Sequence, residues 1–104
     1  MNLEGIYVHD GMLIAAHEDC GTQTLVLDVD LPADEWSEDL VPKRITLREV
    51  YGYCTNDGPF EGTPAILEID KIEEKGRWTK YHLGTNAGTR VFWTSGFSIE
   101  DRKN

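Results

Sequence analysis

The residues with the clearest potential for recognition lie in an acidic segment around a tryptophan. Four carboxylates surround Trp36 between residues 34 and 39. An aromatic ring supplies buried area at an interface, and the charges around it steer a basic partner. The alternative is that Trp36 packs back onto a sheet and closes the core, because tryptophan is highly buried on average. The predicted partner-binding residues are Asp28, Asp30, Asp34, Glu35, Trp36, Glu38 and Asp39.

Metal-capable side chains cluster twice near the N-terminus, at His9-Asp10 and at residues 17–20 (His-Glu-Asp-Cys). A transition-metal site needs three or four ligands that converge on one ion. Neighbouring residues on a strand point to opposite faces, so His17 and Glu18 are expected to diverge. His82 could join from elsewhere, but nothing in the spacing requires it. We therefore predict turn residues here, with no metal and no cofactor.

The sequence gives little support for other kinds of catalytic site. A reactive thiol needs positive surroundings, whereas Cys20 follows two acidic residues and Cys54 is expected to be a small buried hydrophobe. The carboxylate pairs Asp28/Asp30 and Glu68/Asp70 are expected to be solvated on strand faces. The glycines at positions 84 and 88 fall within a hairpin, not between a strand and a helix, so they indicate a turn. No catalytic residue is predicted.

Composition excludes several partners. The chain has 104 residues and a net charge of −9, with ten Lys and Arg against nineteen Asp and Glu. Binding to nucleic acid or to an anionic membrane requires clustered positive charge, which is missing from this sequence. The N-terminal residues lack the basic and apolar regions of a secretory signal, so a cytoplasmic protein is expected. Two cysteines in that compartment are expected to be free thiols.

The elements that position these residues are expected to be strands of a single domain, residues 1–104. Period-two alternation recurs between clusters of Gly, Pro, Asn and Asp. It is clearest over residues 22–31, and Pro32 ends that strand. The predicted strands are Ile6–Val8, Met12–Glu18, Thr22–Leu31, Arg44–Cys54, Ala65–Ile72, Trp78–Leu83 and Thr89–Thr94. This pattern predicts a mainly β fold: a single-domain antiparallel sandwich or partly open barrel of six to seven short strands.

The pattern also resembles a group of known proteins. The His9-Asp10 turn, the alternating strand at residues 25–30, and the Trp36 loop followed by residues 45–47 are similar to small acidic β proteins among the bacterial immunity proteins. The resemblance implies a bacterial, non-enzymatic protein that binds and blocks a cognate toxin. It therefore favours an inhibitor with an acidic and aromatic surface for a basic protein partner.

Two alternatives from other functional classes stay open. One is a β scaffold that binds a small ligand in an aromatic-lined cavity, because a pocket with a few polar groups is the usual form of a ligand site. The other is an unrecognised enzyme that uses His9, Asp10 and His17. The cavity residues of the ligand hypothesis are Tyr51, Tyr53, Trp78, Tyr81 and Trp93.

Overall fold

The computed structural model describes residues 3–102, apart from the side chain of Glu4. After a short 3-10 turn at Leu3–Gly5, these residues form eight strands. The strands are β1 (Met12–Asp19), β2 (Thr24–Pro32), β3 (Leu40–Arg48), β4 (Tyr51–Asp57), β5 (Ile66–Lys75), β6 (Trp78–Thr85), β7 (Gly88–Thr94) and β8 (Gly96–Asp101). Between residues 3 and 102, no helix has the length and apolar character needed to cross a membrane.

The strands form two antiparallel sheets of four strands each. The first sheet has the order β1-β2-β3-β8, and the second has the order β4-β7-β6-β5. The described strands do not close into a barrel, so the architecture is sandwich-like. The mainly β, antiparallel prediction is confirmed, with eight strands instead of six to seven.

The core lies between the two sheets and follows the predicted alternation of β2. Leu25, Leu27, Val29 and Leu31 are all buried, because side chains two residues apart on a strand share a face. The second sheet contributes Phe92 and other apolar side chains to the same cluster. The face of each sheet that points away from this cluster is called its outer face below.

Two predicted strands differ from the structure. Residues 6–8 form no strand. The predicted strand Arg44–Cys54 is two strands in different sheets, because the chain turns at Glu49. That residue has a φ of 50°, a left-handed conformation that ends a regular strand. The missing strand at residues 6–8 and the division of Arg44–Cys54 leave seven strands, and β8, which was not predicted, brings the count to eight.

A β-bulge changes the face assignment in β5. Uninterrupted alternation over the predicted strand Ala65–Ile72 puts Ala65, Leu67 and Ile69 on one face, but Leu67 is 41% exposed, whereas Ile66 and Ile69 are buried. The register with β6 shifts between Ile66 and Glu68. A bulge adds one residue to one strand, so the inward and outward positions exchange on one side of it.

Candidate functional site

The acidic loop, residues 33–39, joins β2 to β3 in the first sheet and is held by local hydrogen bonds. Asp34 Oδ1 accepts a hydrogen bond from the backbone N–H of Trp36 at 2.8 Å. The Asp39 N–H donates to Ser37 Oγ at 3.1 Å, and the Ala33 N–H donates to the Asp39 carbonyl at 3.3 Å. Aspartate commonly stabilises turns in this way. These hydrogen bonds hold the backbone conformation of the loop on both sides of the tryptophan.

Trp36 is the most exposed large hydrophobic residue of the described chain, at 87%. The interpretation that its ring closes the core is therefore wrong. Asp34, Glu35, Glu38 and Asp39 are exposed as well. Within residues 3–102, none of these four carboxylates forms an ion pair. The loop thus presents an aromatic ring among uncompensated negative charges.

The two aspartates of β2 differ from those of the loop because each is paired with an arginine. Asp28 lies opposite Arg44 in the sheet, and its Oδ1 accepts from Arg44 Nε at 2.8 Å. Asp30 Oδ1 accepts from Arg102 Nη2 at 2.6 Å. The Asp28 side chain is only 13% exposed. The unpaired charge of the predicted site therefore comes from the loop and not from the strand.

The ion pair of Asp28 predicts how stability changes with pH. The hydrogen bond from Arg44, with a further contribution from Arg102, holds the pKa of Asp28 below its usual 3.8. A carboxylate with a lowered folded-state pKa stabilises the fold above its unfolded pKa, and that contribution is lost as the pH falls through the folded-state value. We expect the free energy of unfolding to decrease as the pH falls from about 5 through the folded-state pKa of Asp28.

Asp28→Asn is expected to lower the free energy of unfolding by about 1 kcal/mol at neutral pH. It should also reduce the loss of stability on acidification, as measured by urea unfolding across a pH series. Glu35→Gln is the matched control, since it removes an exposed carboxylate without an ion pair. Identical pH profiles for the wild type and Asp28→Asn would contradict this assignment.

The five aromatic residues of the ligand hypothesis do not line a common cavity. Tyr81 is buried beside Phe92, and Tyr53 packs against the core. Trp93 neighbours Phe92 in sequence and so points to the outer face of the second sheet. There it stacks on Tyr51, with ring centroids 5.6 Å apart. A pocket lined by Tyr81 and five other residues measures about 30 Å³, far below the roughly 300–1,000 Å³ of typical ligand sites.

The aromatic cluster of Tyr51, Trp78 and Trp93 supports the crossover between the sheets. Tyr51 meets Trp78 edge-on at 5.9 Å. Trp78 Nε1 donates to the Glu49 carbonyl at 3.1 Å. Hydrogen bonds from Ser95 and Arg77 lower the pKa of Glu49. These contacts fix the residue at which the chain leaves the first sheet for the second.

The N-terminal histidines, His9 and His17, belong to neither the acidic loop nor the aromatic cluster. His9 Nδ1 lies 2.9 Å from the Leu67 carbonyl, which ties its turn to β5. His17 lies on β1 opposite Val26. Among residues 3–102, the sole group of three metal-capable side chains with mutually close ligand atoms is Glu68, Asp70 and His82. It does not include His9, Asp10 or His17.

The group of Glu68, Asp70 and His82 was not predicted as a site. The sequence shows only that two carboxylates share a strand face, and the histidine comes from the neighbouring strand. A signal exists in the β5–β6 pairing, which sets Asp70 opposite His82. To predict that Asp70 and His82 are close, one must know the register of β5 against β6. That register cannot be predicted from the alternation of apolar residues, because β5 contains bulges.

The cysteines are both free and exposed. The expectation of free thiols is consistent with this, whereas the expectation that Cys54 is buried is wrong. Cys54 lies on β4 opposite Val91 at an edge of the second sheet.

Comparison with protein-family models, with curated proteins and with solved structures finds no match to this chain.

Proposed function

We propose that this protein is a non-enzymatic binding protein of the immunity or inhibitor type, whose acidic loop engages a basic surface of a partner protein. The observation that carries the proposal is Trp36, which is 87% exposed in a loop whose four carboxylates form no ion pair with any described residue. A large exposed aromatic ring is most useful at an interface, where tryptophan is among the residues that contribute most to affinity.

The hydrogen bonds of the loop favour recognition because they limit the entropy lost on binding. Asp34 holds the backbone at Trp36 in a turn before any partner is present. Ordering a loop at an interface costs free energy, and a loop that is already ordered avoids part of that cost. A preformed turn with one aromatic anchor therefore suits a small inhibitor surface.

Charge supports a basic partner instead of a neutral one. The chain carries a net charge of −9, and the acidic loop contains no lysine or arginine to offset its carboxylates. Complementary charges accelerate association, and salt screens them over about 8 Å at physiological ionic strength. Binding through this loop should therefore weaken as salt is raised.

The test compares three matched baits in an extract of the source organism. Wild-type protein and Trp36→Ala are immobilised, with Ile72→Ala as the control because Ile72 is also an exposed apolar residue, on β5. We expect a basic protein to be retained by the wild type and by Ile72→Ala, and to be lost with Trp36→Ala. With the purified partner, Trp36→Ala should weaken binding by more than about 2 kcal/mol, which is roughly a thirtyfold change in Kd.

The loss of binding can be assigned to the ring only if Trp36→Ala remains folded. Because the ring is exposed, Trp36→Ala should change the free energy of unfolding by less than about 0.5 kcal/mol. Equal retention on all three baits would contradict the proposal. So would a loss of stability of about 3 to 5 kcal/mol, which is the cost of removing a core aromatic.

A second set of variants separates the role of charge from that of the ring. Reversing Glu35, Glu38 and Asp39 to lysine leaves Asp34 to hold the turn. We expect a slower association rate, with the difference from wild type shrinking as salt is raised. Reversing Glu18, Glu61 and Glu73, which are exposed elsewhere, changes the net charge equally and is the control. Equal slowing by both sets would assign the effect to overall charge and not to the loop.

A further inference from the structure

Glu68, Asp70 and His82 meet on the outer face of the second sheet, away from the acidic loop. Asp70 lies directly opposite His82 in the β5–β6 ladder, and Glu68 lies opposite Gly84. Residues two apart on a strand share a face. The pairing therefore brings the two carboxylates of β5 beside the imidazole of β6.

The spacing of these side chains is suited to one metal ion. A ligand atom from each residue lies within 4.8 Å of a ligand atom from each of the others. Oxygen and nitrogen ligands lie about 2.0–2.2 Å from zinc, so two of them on one ion are roughly 3 to 4 Å apart. Glu68 and Asp70 are exposed and His82 is half-buried. The two carboxylates are at the surface, where their side chains have room to rotate toward a shared ion.

Gly84 provides an independent observation at this position. A methyl group on Gly84 would lie 2.6 Å from Glu68 Oε1 and 3.4 Å from His82 Cε1. The Glu68 carboxylate therefore folds over the bare backbone of β6, toward the imidazole. Glycine weakens a strand interior and often marks a place of close approach. Here the missing side chain makes room for a ligand group.

We propose that Glu68, Asp70 and His82 bind a divalent transition-metal ion, with water completing its coordination. Two carboxylates and one imidazole form a mixed oxygen and nitrogen donor set, which favours transition metals over calcium or magnesium. Neither carboxylate is paired with a cation among the described residues. An ion at this site would offset two neighbouring negative charges and link β5 to β6.

The experiment is a calorimetric titration of chelator-treated protein with zinc chloride. We expect one ion per chain and a dissociation constant in the micromolar range. His82→Gln and Asp70→Asn should each weaken zinc binding by about tenfold or more, because each removes a ligand. His17→Gln is the control for adventitious binding by an exposed histidine, and it should bind as the wild type does.

A stability measurement gives the second readout. A ligand that binds only the folded state raises the melting temperature, and the increase grows with the ratio of ligand concentration to Kd. At one zinc concentration, the Tm of the wild type and of His17→Gln should therefore rise more than that of His82→Gln. No binding at millimolar zinc would overturn the proposal. Zinc binding that His82→Gln does not weaken, or calcium binding of equal strength, would also overturn it by showing only a cluster of acidic residues.

Discussion

Replacing Phe92 with alanine is expected to destabilise the protein by about 3 to 5 kcal/mol. Phe92 is completely buried, and its ring centroid lies 6.0 Å from that of Tyr81. It sits on β7, an inner strand of the second sheet, and belongs to the core cluster between the sheets. Truncation would remove the apolar contacts of the ring and leave a cavity that close-packed neighbours fill only in part.

Such a loss is large against the total stability of about 5–15 kcal/mol that is usual for domains. Equilibrium unfolding in urea measures it, with Phe60→Ala as the matched control. Phe60 is 42% exposed in the segment between β4 and β5. The same change there is expected to cost less than about 1 kcal/mol. Similar losses in both variants would mean that Phe92 does not occupy the centre of the core.

The position of Phe92 shows what can be predicted from the sequence of this fold. The hairpin that contains it was predicted within a few residues of the observed β6 and β7, although Val91, Phe92 and Trp93 form an apolar run without alternation. Alternation does identify β2, where four apolar residues at spacing two are all buried. Regular alternation identifies such strands because a sandwich strand has one buried and one solvated face.

Irregular backbone conformation accounts for most of the errors in the predicted strands and their buried faces. Glu49 adopts a left-handed conformation that its residue type does not reveal, and it divides one predicted strand between two sheets. The bulge between Ile66 and Glu68 leaves Leu67 exposed, whereas uninterrupted alternation would place it on the same face as the buried Ile69. Alternation describes only uninterrupted strands, so a single extra residue reverses every inward and outward assignment beyond it.

The candidate sites also differ in how much of each can be predicted from the sequence. The acidic loop is a contiguous segment, and the sequence alone identifies it as aromatic and acidic. The exposure of Trp36 follows from tertiary structure, which a short loop without periodicity does not encode. The pairing of Asp28 with Arg44 and the approach of Asp70 to His82 both depend on strand register. Contacts between strands are set by that register, and it cannot be obtained from one strand alone.

Gly88→Ala is expected to cost about 2 to 4 kcal/mol, because a side chain at this position meets backbone atoms, which cannot rotate aside as the end of a side chain can. Gly88 has a φ of 152°, which L-residues rarely adopt. An added methyl carbon would lie 2.6 Å from Asp57 Cα and would also overlap the Asn56 carbonyl oxygen. Both contacts are with β4, the strand paired with β7 at this corner. The substitution should therefore separate the ends of these two strands.

Gly58→Ala is a control from the same corner of the molecule. The Gly58 N–H donates to the Ala87 carbonyl at 2.9 Å, so the residue is tied to the turn just before Gly88. No atom lies within 4 Å of a methyl group added there. Alanine at position 58 should be neutral or should stabilise the fold by about 0.4–1 kcal/mol, since it restricts the unfolded chain. Urea unfolding of both variants measures the difference. If Gly58→Ala is as destabilising as Gly88→Ala, the cause is a general sensitivity of this turn and not the close approach of β4 to Gly88.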